Sequence, residues 1–462
     1  MPTELTKKTS FSSTESESNR SRDSSTTGLE LKPLVFEGEG GDQYDATTAT
    51  STLPETFSDN DDDDGVCSPT ATTHHSEFGV GSSSPLQVAV NIFISFVGSG
   101  MLGMPYAFKK SGYFLGVMTL FVMSTLIVYA ALLLVKTRQK LEARGNSNIF
   151  GYGDVGRIVS GRKGENFVNI CLVISQVGFA TAYIIFIAAN LNQIYGINRA
   201  YVCFGCVPFL ALLVQIQDMK HLSPFSFVAD VSNLAGLSAV MLQDYLSYRN
   251  SHETVIAFNY ANVLYVASVS LYALEGVGLV LPLESSCADK EWFPSLLKKT
   301  IFGITSLMAV FGCCGYFAFG SETEAPITLN LNGDFATIVK FALCIALYLT
   351  FPVMLFPVNE VMEDFALGAG PSRPNRPFRS TVVFLSCLVA YLVPDFGKFL
   401  GLVGASICSI IGLILPAYFH LLVFDRSEMT LWQWFMDLFL IIFGLAFGII
   451  GTYDSFVSLI EG

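Results

Sequence analysis

The chain has 462 residues, of which 51% are hydrophobic and 14% are charged, and its formal net charge is −13. Soluble domains contain roughly 25% charged residues, and a soluble chain this apolar would expose wide hydrophobic patches. The composition therefore argues against a soluble protein and predicts one whose solvent is largely membrane lipid. The acidic balance also argues against nucleic acid as a partner, because nucleic acids bind basic surfaces.

The acidity lies at the N-terminus. Residues 1–85 contain five Lys or Arg against 16 Asp or Glu, whereas the rest of the chain contains 21 against 23. A segment this rich in Ser, Thr, Glu and Asp cannot bury enough apolar surface to offset the entropy lost on ordering. We therefore predict a disordered acidic tail over residues 1–82, which the loop charges below place in the cytosol, and a transmembrane domain over residues 83–462.

After residue 85 the chain becomes a series of apolar windows, each near the roughly 20 residues that a helix needs to cross a bilayer. The windows predict eleven spans, of which the fourth and fifth are the least regular. The eleven windows are 86–108, 114–135, 167–191, 201–217, 224–246, 257–283, 301–319, 336–361, 379–393, 397–424 and 431–453.

Loop charges predict the orientation of the spans, because cytosolic loops carry an excess of Lys and Arg. With the N-terminus in the cytosol, the cytosolic loops hold 15 Lys or Arg and the opposite loops hold six. An odd number of spans then leaves the C-terminus on the lumenal side.

The first span is not a regular helix. Gly98, Gly100, Gly103 and Pro105 fall within eight residues, and each Gly costs a helix roughly 1 kcal/mol and each Pro about 3. Unwound backbone survives at mid-membrane only where it is buried in protein or lines a cavity. We therefore predict a discontinuous helix at a site.

The sixth span has the same kind of interruption, at Glu275-Gly276-Val277-Gly278 and Pro282. Discontinuous first and sixth helices are typical of two inverted five-helix repeats, with the substrate bound at the breaks. The N-terminus of a half-helix attracts a carboxylate, and unwound carbonyls attract an ammonium group. The pattern thus favours an amino acid zwitterion as substrate.

Three polar residues in the spans are further candidates. Glu275 lies at the second break and is the first candidate for a proton-carrying group, because ionisable residues inside a membrane are usually functional; a packing role is the alternative. Asp230 is the rival proton site, although it lies near one end of its span. The Asn91 side chain either makes a polar contact between packed helices or lines the site.

Other patterns predict little chemistry. Gly98–Gly103 matches G-x-G-x-x-G, but the strand and the later acidic residue of a dinucleotide site are missing. Cys203 and Cys206 have C-x-x-C spacing without a nearby His. Nothing indicates a metal, a cofactor or a nucleophile–base pair, so we expect no enzymatic activity.

The segments Asn91–Gly112 and Tyr272–Glu284 resemble the first-helix and sixth-helix signatures of the amino acid/auxin permease family, although Leu274 replaces an aromatic residue found in most members. The likeness extends over about residues 82–455 and is strongest to the vacuolar neutral and aromatic amino-acid transporters of plants and fungi. It implies an all-α integral membrane fold of the leucine-transporter type, with eleven helices in a 5+5 inverted repeat.

The resemblance also implies a function. It suggests a proton-coupled carrier that moves neutral, including aromatic, amino acids from an acidic vacuolar or lysosomal lumen to the cytosol. Alternatives are a non-transporting amino-acid sensor and a plasma-membrane uptake carrier for amino acids or auxin. The implied partners are the amino acid, protons and membrane lipid. The implied substrate-binding residues are Gly98, Ser99, Gly100 and Met101 of the first helix, and Tyr272, Ala273, Leu274 and Gly276 of the sixth.

Overall fold

The computed structural model describes residues 81, 83–146, 149–216, 219–249, 254–367 and 375–461. Apart from Gly81, the predicted tail lies outside these residues. The described part of the chain is helical, with one isolated backbone bridge between Ser83 and Cys287. The helices are α1 (Pro85–Phe96), α2 (Ser99–Ser111), α3 (Tyr113–Ala143), α4 (Tyr152–Tyr195), α5 (Arg199–Leu213), α6 (Met219–Tyr248), α7 (Val263–Ala273), α8 (Val277–Ser286), α9 (Phe293–Phe319), α10 (Asp334–Leu367), α11 (Arg376–Leu392), α12 (Phe396–Val403), α13 (Leu415–Val423) and α14 (Leu431–Glu461).

The all-helical, multi-span architecture predicted from the sequence is confirmed. Among the described residues, eight helical segments are long and apolar enough to cross a membrane, and the bent pair α1–α2 makes a ninth. The predicted fourth and ninth spans correspond to α5 and α11, which have 15 and 17 residues and are shorter than the 18 residues required here of a membrane span. The number eleven therefore stays a prediction.

Both predicted helix breaks are present. α1 and α2 meet at an angle of 58° across Val97 and Gly98. α7 ends at Ala273 and α8 begins at Val277, with Gly276 in a non-helical conformation between them. The first and sixth spans are thus discontinuous at mid-length, as the leucine-transporter-type arrangement requires.

The tenth span departs from the regular helix that its apolar sequence predicts, and α4 is kinked before its apolar window begins. α4 is kinked at Ser160 and Gly161, where Gly161 takes φ 67°, a left-handed conformation that favours glycine. The tenth span consists of α12, two π-helical turns at Gly404–Cys408 and Ile410–Ile414, and α13. π-Helical turns occur frequently at functional sites, and this span lies against the second break.

Burial separates a lipid-facing shell from a protein core. In α14, the large side chains of Phe435, Ile442 and Ile449 follow one another at seven-residue intervals and are more than half exposed. That exposed apolar stripe suits a helix whose outer face contacts lipid. α2, in contrast, is buried over most of its length and packs on α7, α9 and α3, so the first break lies inside the bundle.

The segment that precedes α1 is hydrogen-bonded to the end of α8. The Gly81 and Ser83 amides donate to the carbonyls of Ser285 and Ser286 at 3.0 Å each. Ser84 caps α1 and exchanges hydrogen bonds with Gln87 in a capping box. The membrane domain therefore includes contacts that begin at residue 81.

Two truncations test this boundary. We expect removal of residues 1–78 to leave transport in proteoliposomes near the full-length level, because every contact from Gly81 onward is retained. Removal of residues 1–84 deletes these two backbone bonds, a third from the Ala288 amide to the Ser83 carbonyl, and the cap, which is worth about 1 kcal/mol. It should therefore lower the thermal unfolding midpoint in detergent. Loss of transport by a folded 1–78 truncation would instead give the tail a role in the carrier itself.

Candidate functional site

The two broken spans touch where α2 begins and α7 ends. A Cβ atom placed on Gly100 would lie 2.7 Å from Ala273 Cα and 3.1 Å from Tyr272 Cδ1, so the backbones of the two helices are in contact. The hydroxyls of Ser99 and Tyr272 are 3.3 Å apart and buried, within hydrogen-bond distance. Four of the predicted substrate-binding residues thus form one junction.

Gly98 differs from Gly100, because it borders open space. A Cβ atom on Gly98 would meet nothing within 4 Å. Its φ of −141° and ψ of −155° are extended backbone, which residues with side chains can also adopt. The backbone angles at Gly98 therefore do not require glycine, and what distinguishes this position is the unfilled volume beside the break.

Aromatic rings enclose the junction. Phe96 packs against Gly276, where an added Cβ would overlap the Phe96 ring. The Phe179 ring of α4 lies edge-on to Tyr272 with centroids 4.9 Å apart. From α6, the Asn233 side chain donates to the Val97 carbonyl at 3.3 Å, and so satisfies one of the backbone groups that the first break leaves unpaired.

Glu275 points away from this junction. Its Oε2 atom is buried and has no hydrogen-bond partner among the described residues. A Cβ atom on Gly412 would lie 3.2 Å from this oxygen, which puts the carboxyl against the π-helical part of the tenth span. The amides of Val277 and Gly278, at the start of α8, lie next to the same carboxyl.

Asp230 approaches the junction from α6. It is half-buried and lies within electrostatic range of Tyr183 on α4, which is in turn within range of Tyr272. The two candidate carboxylates therefore have different neighbours: Asp230 lies near Tyr183 of α4, and Glu275 lies against Gly412 of the tenth span.

The remaining predicted residues take different positions. Met101 and Leu274 are fully buried in the hydrophobic core. Asn91 lies about two turns before Gly98 in α1; it is half-buried, and its carbonyl accepts a bond from the Ser95 hydroxyl at 2.7 Å.

Several residues at the junction carried little or no sequence signal. Asn233 stands out as a polar residue in an apolar span. Phe179, Tyr183 and Gly412 have no local pattern that separates them from ordinary core residues. They come close to Tyr272 or Glu275 only because the tenth span packs against α7 and α4 packs against the tenth span.

Comparison with known proteins agrees with this architecture. Residues 81–457 match the family model described as transmembrane amino acid transporter protein. Amino acid transporter AVT3C of Arabidopsis thaliana is 37% identical over 399 residues, which cover 81% of this chain and 90% of that protein. Vacuolar amino acid transporter 3 of Saccharomyces cerevisiae is 28% identical over 390 residues, 79% of this chain and 55% of that protein. The proton-coupled amino acid transporter-like protein pathetic of Drosophila melanogaster is 26% identical over 396 residues, 79% of this chain and 83% of that protein.

Two alanine variants distinguish contact from open space at the first break. Gly100→Ala should separate α2 from α7, because overpacking in a close-packed interior costs about 1–3 kcal/mol; we expect lower thermal stability and loss of uptake. Gly98→Ala should fold like the wild type and weaken substrate affinity, since the new methyl group occupies the open volume. Both are measured by thermal unfolding and substrate binding in detergent. Unchanged affinity in Gly98→Ala would remove this volume from the site.

Proposed function

The chain belongs to the family of transmembrane amino acid transporter proteins, the amino acid/auxin permeases, and from this premise we propose that it is a proton-coupled carrier of neutral, including aromatic, amino acids. It works by alternating access and exports its substrate from an acidic lumen to the cytosol.

The observation that supports this proposal most directly is the pairing of Ser99 with Tyr272 beside the open space at Gly98. α2 starts at this junction, and its first amides face a substrate carboxylate with the positive end of the helix dipole. α7 ends there, and the negative end of its dipole faces the ammonium group. Opposite helix ends at one junction match the two charges of an amino acid zwitterion.

The side chains around the breaks favour a neutral substrate. The segments Phe96–Met101 and Tyr272–Gly278 contain one acidic residue, Glu275, and no Lys or Arg. The Glu275 carboxyl is directed toward Gly412, so a cationic substrate side chain would find no counter-charge from either segment. The Phe96, Phe179 and Tyr272 rings offer an apolar and aromatic lining.

Proton coupling is supported by the position of Glu275. A buried carboxyl without a salt-bridge partner is more stable in its neutral, protonated form, because low dielectric disfavours the charge. Such a group takes up a proton from an acidic compartment and loses it when solvent and a higher pH reach it. A relative named as proton-coupled supports the same inference.

The vacuolar or lysosomal membrane is proposed from the relative named as vacuolar, and an acidic lumen sets the direction of proton-driven export. The cytosolic N-terminus follows from the loop charges. Uptake across the plasma membrane uses the same site and the same direction of movement, from the acidic side to the cytosol. An amino-acid sensor also shares the site, but produces no flux.

A panel of radiolabelled amino acids in proteoliposomes with an imposed pH gradient tests substrate class and flux together. We expect leucine and phenylalanine to be transported, with the rate increasing with the gradient, and lysine and arginine to compete at least about tenfold less well, the equivalent of 1.4 kcal/mol. Equal competition by arginine would reject the neutral-substrate proposal. Saturable binding without flux would favour the sensor.

The proton site is tested with isosteric variants. Glu275→Gln mimics the protonated carboxyl and should retain exchange of amino acid for amino acid while it loses acceleration by a pH gradient. Asp230→Asn is the matched rival and should keep that acceleration. If Asp230→Asn loses pH-driven accumulation and Glu275→Gln keeps it, the proton is carried by Asp230 in the fifth span (α6) and not by Glu275 in the sixth span (α7–α8).

A further inference from the structure

A buried pair of ionisable residues lies in the membrane domain, away from the junction just described. His420 of α13 and Asp437 of α14 are joined by a 2.6 Å contact between Nδ1 and Oδ2, and both side chains are almost completely buried. The Tyr129 hydroxyl of α3 donates to the other carboxylate oxygen at 3.4 Å. Three spans therefore converge on one carboxylate.

Helix packing alone does not account for this pair. Hydrophobic side chains of similar volume join two helices as well as a buried ion pair does, and often better, because both charges lose their hydration. Ionisable residues inside a membrane are costly and are usually functional. The pair is therefore a candidate for a group whose charge changes during the cycle.

The charge of the pair depends on protons. The ion pairs formed by described residues bring no Lys or Arg to Asp437. A pair that holds one shared proton is neutral overall, whether as imidazolium and carboxylate or as imidazole and carboxylic acid. Without that proton it leaves one uncompensated negative charge in the membrane interior, which is strongly unfavourable.

The groups around the pair do not supply another charge at contact distance. From α3, Lys140 lies 5.7 Å from the Phe424 ring, which stacks on His420 with centroids 4.4 Å apart. The Lys140 ammonium is paired with Glu428 at 2.5 Å. From α4, Tyr152 reaches only the neighbour of His420, with its ring edge-on to Phe419. From α14, the facing ionisable group is Asp437 itself.

The pair lies farther along the same span that contacts Glu275. Gly412 borders the Glu275 carboxyl, and His420 follows eight residues later, about 12 Å along the helix. Tyr152 bridges much of this interval, because its hydroxyl donates to the Ile411 carbonyl at 3.1 Å. α13 ends at Val423, so the pair lies between the second break and the membrane face at which α13 ends.

We propose that His420 and Asp437 form a second proton-binding site, which takes up and releases one proton per transport cycle toward the face at which α13 ends. This proposal rests on the proposed proton coupling. Proton uptake forms an N–H bond on the imidazole or an O–H bond on the carboxyl, and release to solvent at that face breaks the same bond. Tyr129 positions the carboxylate and is not itself a carrier.

The test compares two assays in proteoliposomes. Exchange at equal pH on both sides requires no net proton movement, whereas net flux with a pH gradient does. We expect His420→Gln and Asp437→Asn to exchange amino acid at rates within about twofold of the wild-type rate. Their net flux in a pH gradient should be about tenfold lower than that of the wild type, as large an effect as a change of about one pH unit has on proton concentration. Their net flux should also lose its dependence on pH at the α13 face.

Tyr418→Phe is the matched control, because Tyr418 lies two residues from His420 and is 44% exposed on the outer surface; it should behave like the wild type in both assays. Tyr129→Phe keeps the ring and removes one hydrogen bond, so it should shift the pH profile without abolishing it. If Asp437→Asn does not fold, the comparison of His420→Gln with Tyr129→Phe decides the question.

Two results would overturn the proposal. One is full pH dependence of net flux in His420→Gln; the other is a proportional fall of exchange and net flux, which is expected if the pair only stabilises the packing of the helices. Wild-type protein that transports amino acids without any effect of the pH gradient is a different outcome. That result rejects proton coupling as proposed above, and the second proton site with it, before any variant is compared.

Discussion

The close contact between Gly100 and Ala273 is the constraint on which the rest of the site depends. Because no side chain separates the two backbones there, α2 and α7 bring their opposite ends to one junction and place the Ser99 and Tyr272 hydroxyls within reach of each other. In the same way, the absence of a side chain at Gly276 allows the Phe96 ring to pack against the second break. Small residues allow the breaks to meet, and large rings close the space around them. A bulkier residue at either glycine would force the two half-helices apart.

Much of this arrangement could be predicted from the chain itself. Glycine and proline inside an apolar window signal a break, and the same signal in the first and sixth spans predicts two breaks that face each other. The sequence could not indicate which way Glu275 points, because a residue beside two glycines has several directions open to it. It also could not reveal Phe179 or Gly412, which look like ordinary core residues until the fold brings them next to Tyr272 and Glu275.

The buried pair in the last two spans shows a different limit of sequence reading. His420 lies near the end of an apolar window, where a polar residue normally marks the membrane boundary, so the sequence favours that ordinary interpretation. Asp437 lies near the start of the next window and invites the same reading. Only their packing shows that both side chains face inward and meet at 2.6 Å. Two boundary residues from successive antiparallel helices share the same depth, and the pattern of one helix alone does not show that they are partners.

The direction of Glu275 has a consequence for how a proton and an amino acid are coupled. Tyr272 faces Ser99, where the zwitterion is proposed to bind, whereas the Glu275 carboxyl faces Gly412 of the tenth span. Since the two groups point to different neighbours, coupling by a direct salt bridge between substrate and proton site is not what this geometry favours. In the carrier that we propose, coupling would then pass through the segment that both share, residues 272–276. A proton on Glu275 would neutralise a charge against the tenth span, and substrate at Tyr272 would stabilise the end of α7, so that each event would bias the same short, unwound piece of backbone. By linkage, each then changes the affinity for the other by the same factor, without the two ligands touching.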